Sequence, residues 1–203
     1  MQASRFVPPD GFVADARKLI LASGSPRRSE LLARYGYDFQ VSVPDDHAEC
    51  GICSRETPPE LVARLAYQKA ANVIEKIECG LAVACDTVAE CVAIILGKPE
   101  NVDHAREMLK RLRGREHSVY SGLCIWDKES ARRSIRVDVS RLRMDNISDR
   151  EIEAYLETEQ WMGKAGAFGF QDGPDWIHLI NGSPTNVVGL PMELLATMLQ
   201  EFR

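Results

Sequence analysis

Lys18-Leu19-Ile20-Leu21-Ala22-Ser23-Gly24-Ser25-Pro26-Arg27-Arg28 is the stretch on which the fold turns. Lys18 to Ala22 is a short apolar run of the kind that forms a buried strand. A helix opens directly after it: Ser25 is a cap residue, and Pro26 suits the first helical position, where a missing N–H costs nothing. Leu31, Leu32 and Tyr35 then supply an apolar stripe, and Gly36 ends the helix. A buried strand running into a helix N-terminus is the unit from which α/β sheets are built.

Beyond this unit, Asp38 to Val43 reads as a second strand and Pro44 to Arg55 as a loop. Thr57-Pro58-Pro59-Glu60 has the spacing of a capping box with proline at the first helical position. The helix it opens carries Leu61, Val62, Leu65 and Ala66, and places Lys69 on its apolar stripe. Leu81 to Cys85 is a third strand, ending at Asp86-Thr87, and Val92 to Leu96 a fourth, ending at Gly97-Lys98-Pro99. Ala105, Met108, Leu109 and Leu112 mark a helix stopped by Gly114. Strands are expected at Ser118 to Trp126, Ser134 to Met144 and Trp176 to Ile180, a second capping box at Ser148 to Glu151, and a last helix from Pro191. The expected architecture is a mixed α/β sheet with flanking helices, preceded by a tail over residues 1–17.

Composition narrows the function. The chain has 203 residues, 45% of them hydrophobic, enough to bury a core as one domain or two joined lobes. A formal charge of −5 argues against a nucleic-acid partner, while leaving room for small anions met by a few converging cations. No apolar run approaches the roughly 18 residues needed to span a bilayer, so no membrane role is expected. The six cysteines follow no secretory leader, and a reducing cytoplasm is the expected compartment.

Ser23 to Arg28 is an anion site in outline: small residues admit an oxyanion to the backbone, the helix terminus adds partial positive charge, and arginine offers a planar fork. An ordinary strand-to-helix turn with solvated arginines has the same sequence. The segment lacks the spacing of a P-loop. Asp86, at the end of an apolar run, could hold a hard cation or take a proton from water, or simply cap a turn. Lys69 and Lys98 are lysines in unusual places, against the plain readings of snorkelling and of a turn. Together with Glu49 these groups would make a polyphosphate and metal site, magnesium being held by one or two carboxylates plus substrate oxygens. His47, Cys50 and Cys53 are a weak zinc signal, since no second C-x-x-C exists. His104, His117 and His178 show no ligand spacing, and Trp161, Trp176 and Phe168 are as ordinary in a core as against a base.

Leu21 to Leu32 resembles the opening signature of the Maf nucleotide pyrophosphatases, and further blocks occur in that family's order. These are Leu65 to Ala70; Cys85-Asp86-Thr87-Val88; Gly97-Lys98-Pro99; Lys164-Ala165-Gly166-Ala167-Phe168-Gly169-Phe170-Gln171; and Asn186-Val187-Val188-Gly189-Leu190-Pro191. The resemblance runs from about Lys18 to the C-terminus. It implies a two-lobed α/β fold with a central cleft, akin to the inosine triphosphate pyrophosphatases, a divalent metal (magnesium or manganese), a homodimer, and hydrolysis of a nucleoside triphosphate to monophosphate and pyrophosphate. Carried over, Asp86 is the proton acceptor and a metal ligand, and Ser23, Arg28, Lys69 and Lys98 bind phosphates. Glu49 matches the acidic metal ligand after the second strand, with Asp45 and Asp46 competing for that place. Arg27, Thr87 and Gln171 match the residues that mark the branch acting on dTTP and UTP rather than on 7-methyl-GTP. Modified pyrimidine nucleotides are a variant of that expectation. The family's association with septum formation leaves an alternative, a nucleotide-binding regulator without turnover. One departure stands out: Gly163 occupies a place where the family usually has an aspartate.

Overall fold

The computed structural model describes residues 18–48, 56–172 and 175–203. Its centre is a mixed seven-stranded sheet in the order β2-β1-β3-β5-β6-β7, with β4 paired to β3. β1 (Leu19–Leu21) lies parallel to β2 (Phe39–Val41) and to the start of β3 (Leu81–Cys91). All other pairings, through β4 (Ile94–Leu96), β5 (Glu116–Asp127), β6 (Arg133–Met144) and β7 (Ile177–Asn181), are antiparallel.

The helices begin where local chemistry starts them. α1 (Pro26–Arg34) and α2 (Pro58–Ile74) each have proline in their first turn, and the Thr57 main-chain N–H donates to the Glu60 carboxylate at 2.9 Å. α3 (Val102–Leu112) is capped by Asn101, and α4 (Asp149–Glu157) by a capping box of Ser148 and Glu151. α5 (Pro184–Val188) and α6 (Met192–Gln200) close the chain.

The long strands β3 and β5 each contribute to three cores, because side chains alternate across a strand while the helices cover its two halves differently. Around the first half of β3, Leu81, Val83 and Cys85 pack under α1 and α6, while Ala82 and Ala84 face Ala66, Ala70 and Val73 of α2. Around its far end, Ala89 and Cys91 join Met108, Leu109 and Leu112 of α3 and Ile152 and Leu156 of α4. The molecule is therefore two-lobed on one continuous sheet. At Gly122, opposite Asp86 in the ladder, α2 lies close against the sheet: a Cβ there would stand 2.2 Å from the Val62 carbonyl oxygen.

Three expectations shift. Asp86 does not end a strand: β3 continues to Cys91. The fourth strand starts at Ile94 rather than Val92, since Val92 and Ala93, with φ of 53° and 57°, form the hairpin turn. α5 lies between β7 and the last helix, where the sequence reading names no helix.

Candidate active site

The site lies at a break in one edge of β3. On that side, β1 pairs with residues Leu81 to Val83 and β4 with residues Ala89 to Cys91. Residues 84–88 between them have no strand neighbour there among the described residues, and the segment leaving β1, Ser23 to Arg28, lines the cleft. A cleft of about 480 Å³ opens at this notch, lined by Ser23, Gly24, Arg27, Arg28, Lys69, Thr87, Lys98, Lys164 and Gln171, with Asp45, Asp46 and Phe168 on its walls.

Because successive residues of β3 face opposite sides, the break is furnished from both. Asp86 points toward α2, where Lys69 Nζ donates to its Oδ1 at 2.5 Å. Both are buried, at 9% and 7% exposure. Asp86 is set one layer behind the cleft wall, and it is Lys69 that fronts it. Oδ2 of Asp86 carries no hydrogen bond among the described residues. Thr87 points the other way and meets Arg28, whose guanidinium spans three acceptors: the Gly189 carbonyl at 2.8 Å, Ser23 Oγ at 3.0 Å and Thr87 Oγ1 at 3.4 Å.

α1 aims its N-terminus into the cleft with no acidic residue and two arginines in its first turn. Cations there oppose the helix dipole, an arrangement that suits a bound anion better than it suits the helix. Ser23 Oγ also accepts the Ser25 main-chain N–H at 3.2 Å, so the hydroxyl ties the turn together. Arg27 reaches across to the far lobe and donates to the Gly163 carbonyl at 2.8 Å. Burial, and after it the neighbouring Arg28, push its guanidinium below the usual range. Lys98 arrives from the segment after β4, which is held against the 165–167 turn by the Gly166 N–H donating to the Gly97 carbonyl at 3.0 Å. Lys164 pairs with Asp172, and this pair fills the space a side chain at position 169 would need.

Ser23, Arg27, Arg28, Lys69, Lys98, Thr87 and Gln171 are thus brought to one cleft, with Asp86 immediately behind it. Glu49, Cys50 and Cys53 lie outside the described residues. Among the described residues no group of three or more His, Cys, Asp or Glu side chains gathers for a metal. Asp45 on the cleft wall is engaged by Lys76 at 2.7 Å and by Asn72. Of the aromatic residues, Phe168 and Phe170 line the cleft, whereas Trp161 is buried with its Nε1 donating to the Leu156 carbonyl and Trp176 packs edge-on against Tyr155. Three participants have no signal in the sequence taken residue by residue: the Gly189 carbonyl, the Ser121 hydroxyl beside Thr87, and Asp172. The motif Asn186 to Pro191 contains the first, but nothing local shows that its carbonyl faces Arg28.

No helix among the described residues is long and apolar enough to cross a membrane. The family model described as Maf-like protein matches residues 18–202. A dTTP/UTP pyrophosphatase of Rhodopirellula baltica is 56% identical over 91% of this chain and 82% of its own length. One of Syntrophus aciditrophicus is 42% identical over 91% and 89%. Among solved structures, a HAM1 protein from Coxiella burnetii aligns with a TM-score of 0.48 at 16% identity, covering 91% of this chain and 99% of that one. The match over nearly all of the described fold, with its motif residues meeting at the β3 notch, places the chain in the Maf-like protein family.

Proposed function

We propose that this chain is a nucleoside triphosphate pyrophosphatase acting on dTTP and UTP, cutting between the α and β phosphates. The observation that carries the reading is the convergence, at one strand break, of a helix N-terminus, Ser23, Arg28, Lys69 and Lys98 around a buried carboxylate. A triphosphate presents the negative charge that this set lacks, and the relatives named dTTP/UTP pyrophosphatase support the substrate class.

In the reaction proposed, Arg28, Lys98 and the α1 terminus hold the phosphate chain, and Lys69 moves from Asp86 toward a phosphate oxygen. Asp86 then accepts a proton from water as the water oxygen bonds to the α phosphorus. The bridging bond to the β phosphate breaks and pyrophosphate leaves with the electron pair. Positioning and charge compensation carry most of the acceleration. Arg27, Thr87 and Gln171 line the same cleft and in this reading sort the base, with Phe168 as an apolar wall.

A divalent cation, magnesium or manganese, suits the donor set, which is carboxylate oxygen: Asp86 through Oδ2, with Glu49 as the second carboxylate in this reading and substrate oxygens completing the shell. Bound there, it would neutralise charge on the phosphates.

The test is pyrophosphate release with magnesium or manganese, offering dTTP, UTP, CTP, GTP and 7-methyl-GTP side by side. Turnover of dTTP and UTP should fall ~100- to 10,000-fold in Asp86→Asn, the usual cost of losing a general base. Binding without turnover of any nucleotide would return the chain to the regulator reading.

A further inference from the structure

α5 ends in Gly189, whose φ of +119° turns the chain back so that its N–H donates to the Thr185 and Asn186 carbonyls. That turn points the Gly189 carbonyl at Arg28 Nε, 2.8 Å away. Asn186 ties this turn to the sheet. Its side chain is wholly buried, and Nδ2 donates both to the Val119 carbonyl of β5 at 3.1 Å and to Ser140 Oγ of β6 at 2.9 Å. Its own carbonyl accepts from Ser121 Oγ at 3.4 Å, and that hydroxyl lies 2.8 Å from Thr87 Oγ1. The cleft receives Val187, Val188 and Gly189 from this segment but neither Asn186 nor Ser140.

We propose that Asn186 is a positioning residue for phosphate recognition: by pinning α5 to two central strands it fixes the Gly189 carbonyl that aims Arg28 into the cleft. A carbonyl on a five-residue helix has little rigidity of its own, whereas an amide bridging β5 and β6 inherits that of the sheet. The bond it sets up is charge-assisted, the kind that holds a guanidinium in one orientation. The proposal rests on Arg28 binding phosphate.

The experiment is a double-mutant cycle read by the Kd of inorganic tripolyphosphate with magnesium and by kcat and KM for dTTP. Asn186→Ala should weaken tripolyphosphate and raise KM by about 10-fold or more, the scale of one charge-assisted hydrogen bond, with a smaller change in kcat. In an Arg28→Ala background the same substitution should change the Kd less than about twofold, since residues that act through one another are not additive. Ser140→Ala, which removes one acceptor of the Asn186 amide together with the bonds of the same hydroxyl to the Ser183 main chain at the start of α5, should give the same pattern and serves if Asn186→Ala does not fold. Equal losses in both backgrounds, or lowered melting temperatures with unchanged Kd, would overturn the proposal. An Arg28→Ala protein that binds tripolyphosphate as well as the wild type would instead overturn the phosphate reading beneath it.

Discussion

His117 on β5 is 4% exposed and sits edge-on to Phe168, ring centroids 5.4 Å apart, in the core beneath the cleft wall. Among the described residues neither ring nitrogen has a hydrogen-bond partner of normal geometry, although the Arg115 main chain lies near enough to offset part of what burial does. Burial pulls the imidazole down from 6.5 to about 4. The unfolded chain therefore takes up a proton near pH 6.5, and the folded one does not until about pH 4. The His117 contribution to stability is unchanged above pH 7, falls as pH drops between those values, and levels off below them. The full interval corresponds to about 3 kcal/mol, and at pH 5 the loss is about 2 kcal/mol. The perturbation is His117→Leu, which removes the titration and two buried nitrogens while keeping an apolar neighbour for Phe168. Denaturant unfolding at pH 7.5 and pH 5 should show the wild type losing about 2 kcal/mol more than the variant between the two. The window lies above the range where carboxylates held by capping boxes or arginines, such as Glu60 and Glu153, lose their charge. Parallel losses in the two proteins would refute the reasoning.

Gly122→Ala should cost on the order of 3 kcal/mol by overpacking, because its Cβ has nowhere to go but into the Val62 carbonyl; an unchanged denaturation midpoint would count against it. As α2 carries Lys69, turnover should fall in the same variant. Thr57→Ala removes the hydroxyl that donates to Glu60 at 2.7 Å and should lower stability by about 1 kcal/mol with KM for dTTP unmoved. A changed KM would mean that the α2 terminus does more than start the helix.

Where local chemistry decides, the sequence is a sufficient guide. Pro26, Pro58, Thr57 to Glu60 and Ser148 to Glu151 start helices in the structure because their effect is spent within four residues. Lys69 on an apolar stripe is an anomaly that needs a partner even in the sequence. That the partner is Asp86, 17 residues on, depends on α2 packing over the sheet. β3 is longer than its apolar run because Asp86 and Thr87 sit at the edge break, where Thr87 faces the cleft and Asp86 is paired with Lys69 behind it. Its end is hidden for another reason: Val92 and Ala93 hold positive φ, a conformation for which neither residue type is a signal. Ser183-Pro184 does carry a cap and first-turn signal for α5, but five residues are too few to show an apolar period.

The cations of the cleft are not waiting in water. Arg28 holds the Gly189 carbonyl, Arg27 the Gly163 carbonyl, Lys69 the Asp86 carboxylate and Lys164 the Asp172 carboxylate. Each is oriented in advance, so a triphosphate meets charges whose ordering cost has been met by the fold. On the proposed reaction the Lys69 pair has a second consequence. While Lys69 occupies Oδ1, that oxygen is not open to a water proton. A phosphate oxygen that draws Lys69 away frees it only when substrate is present. Binding and base activation are then one exchange of partners, and a chain of net charge −5 can attract a polyanion because its positive groups are focused at one notch.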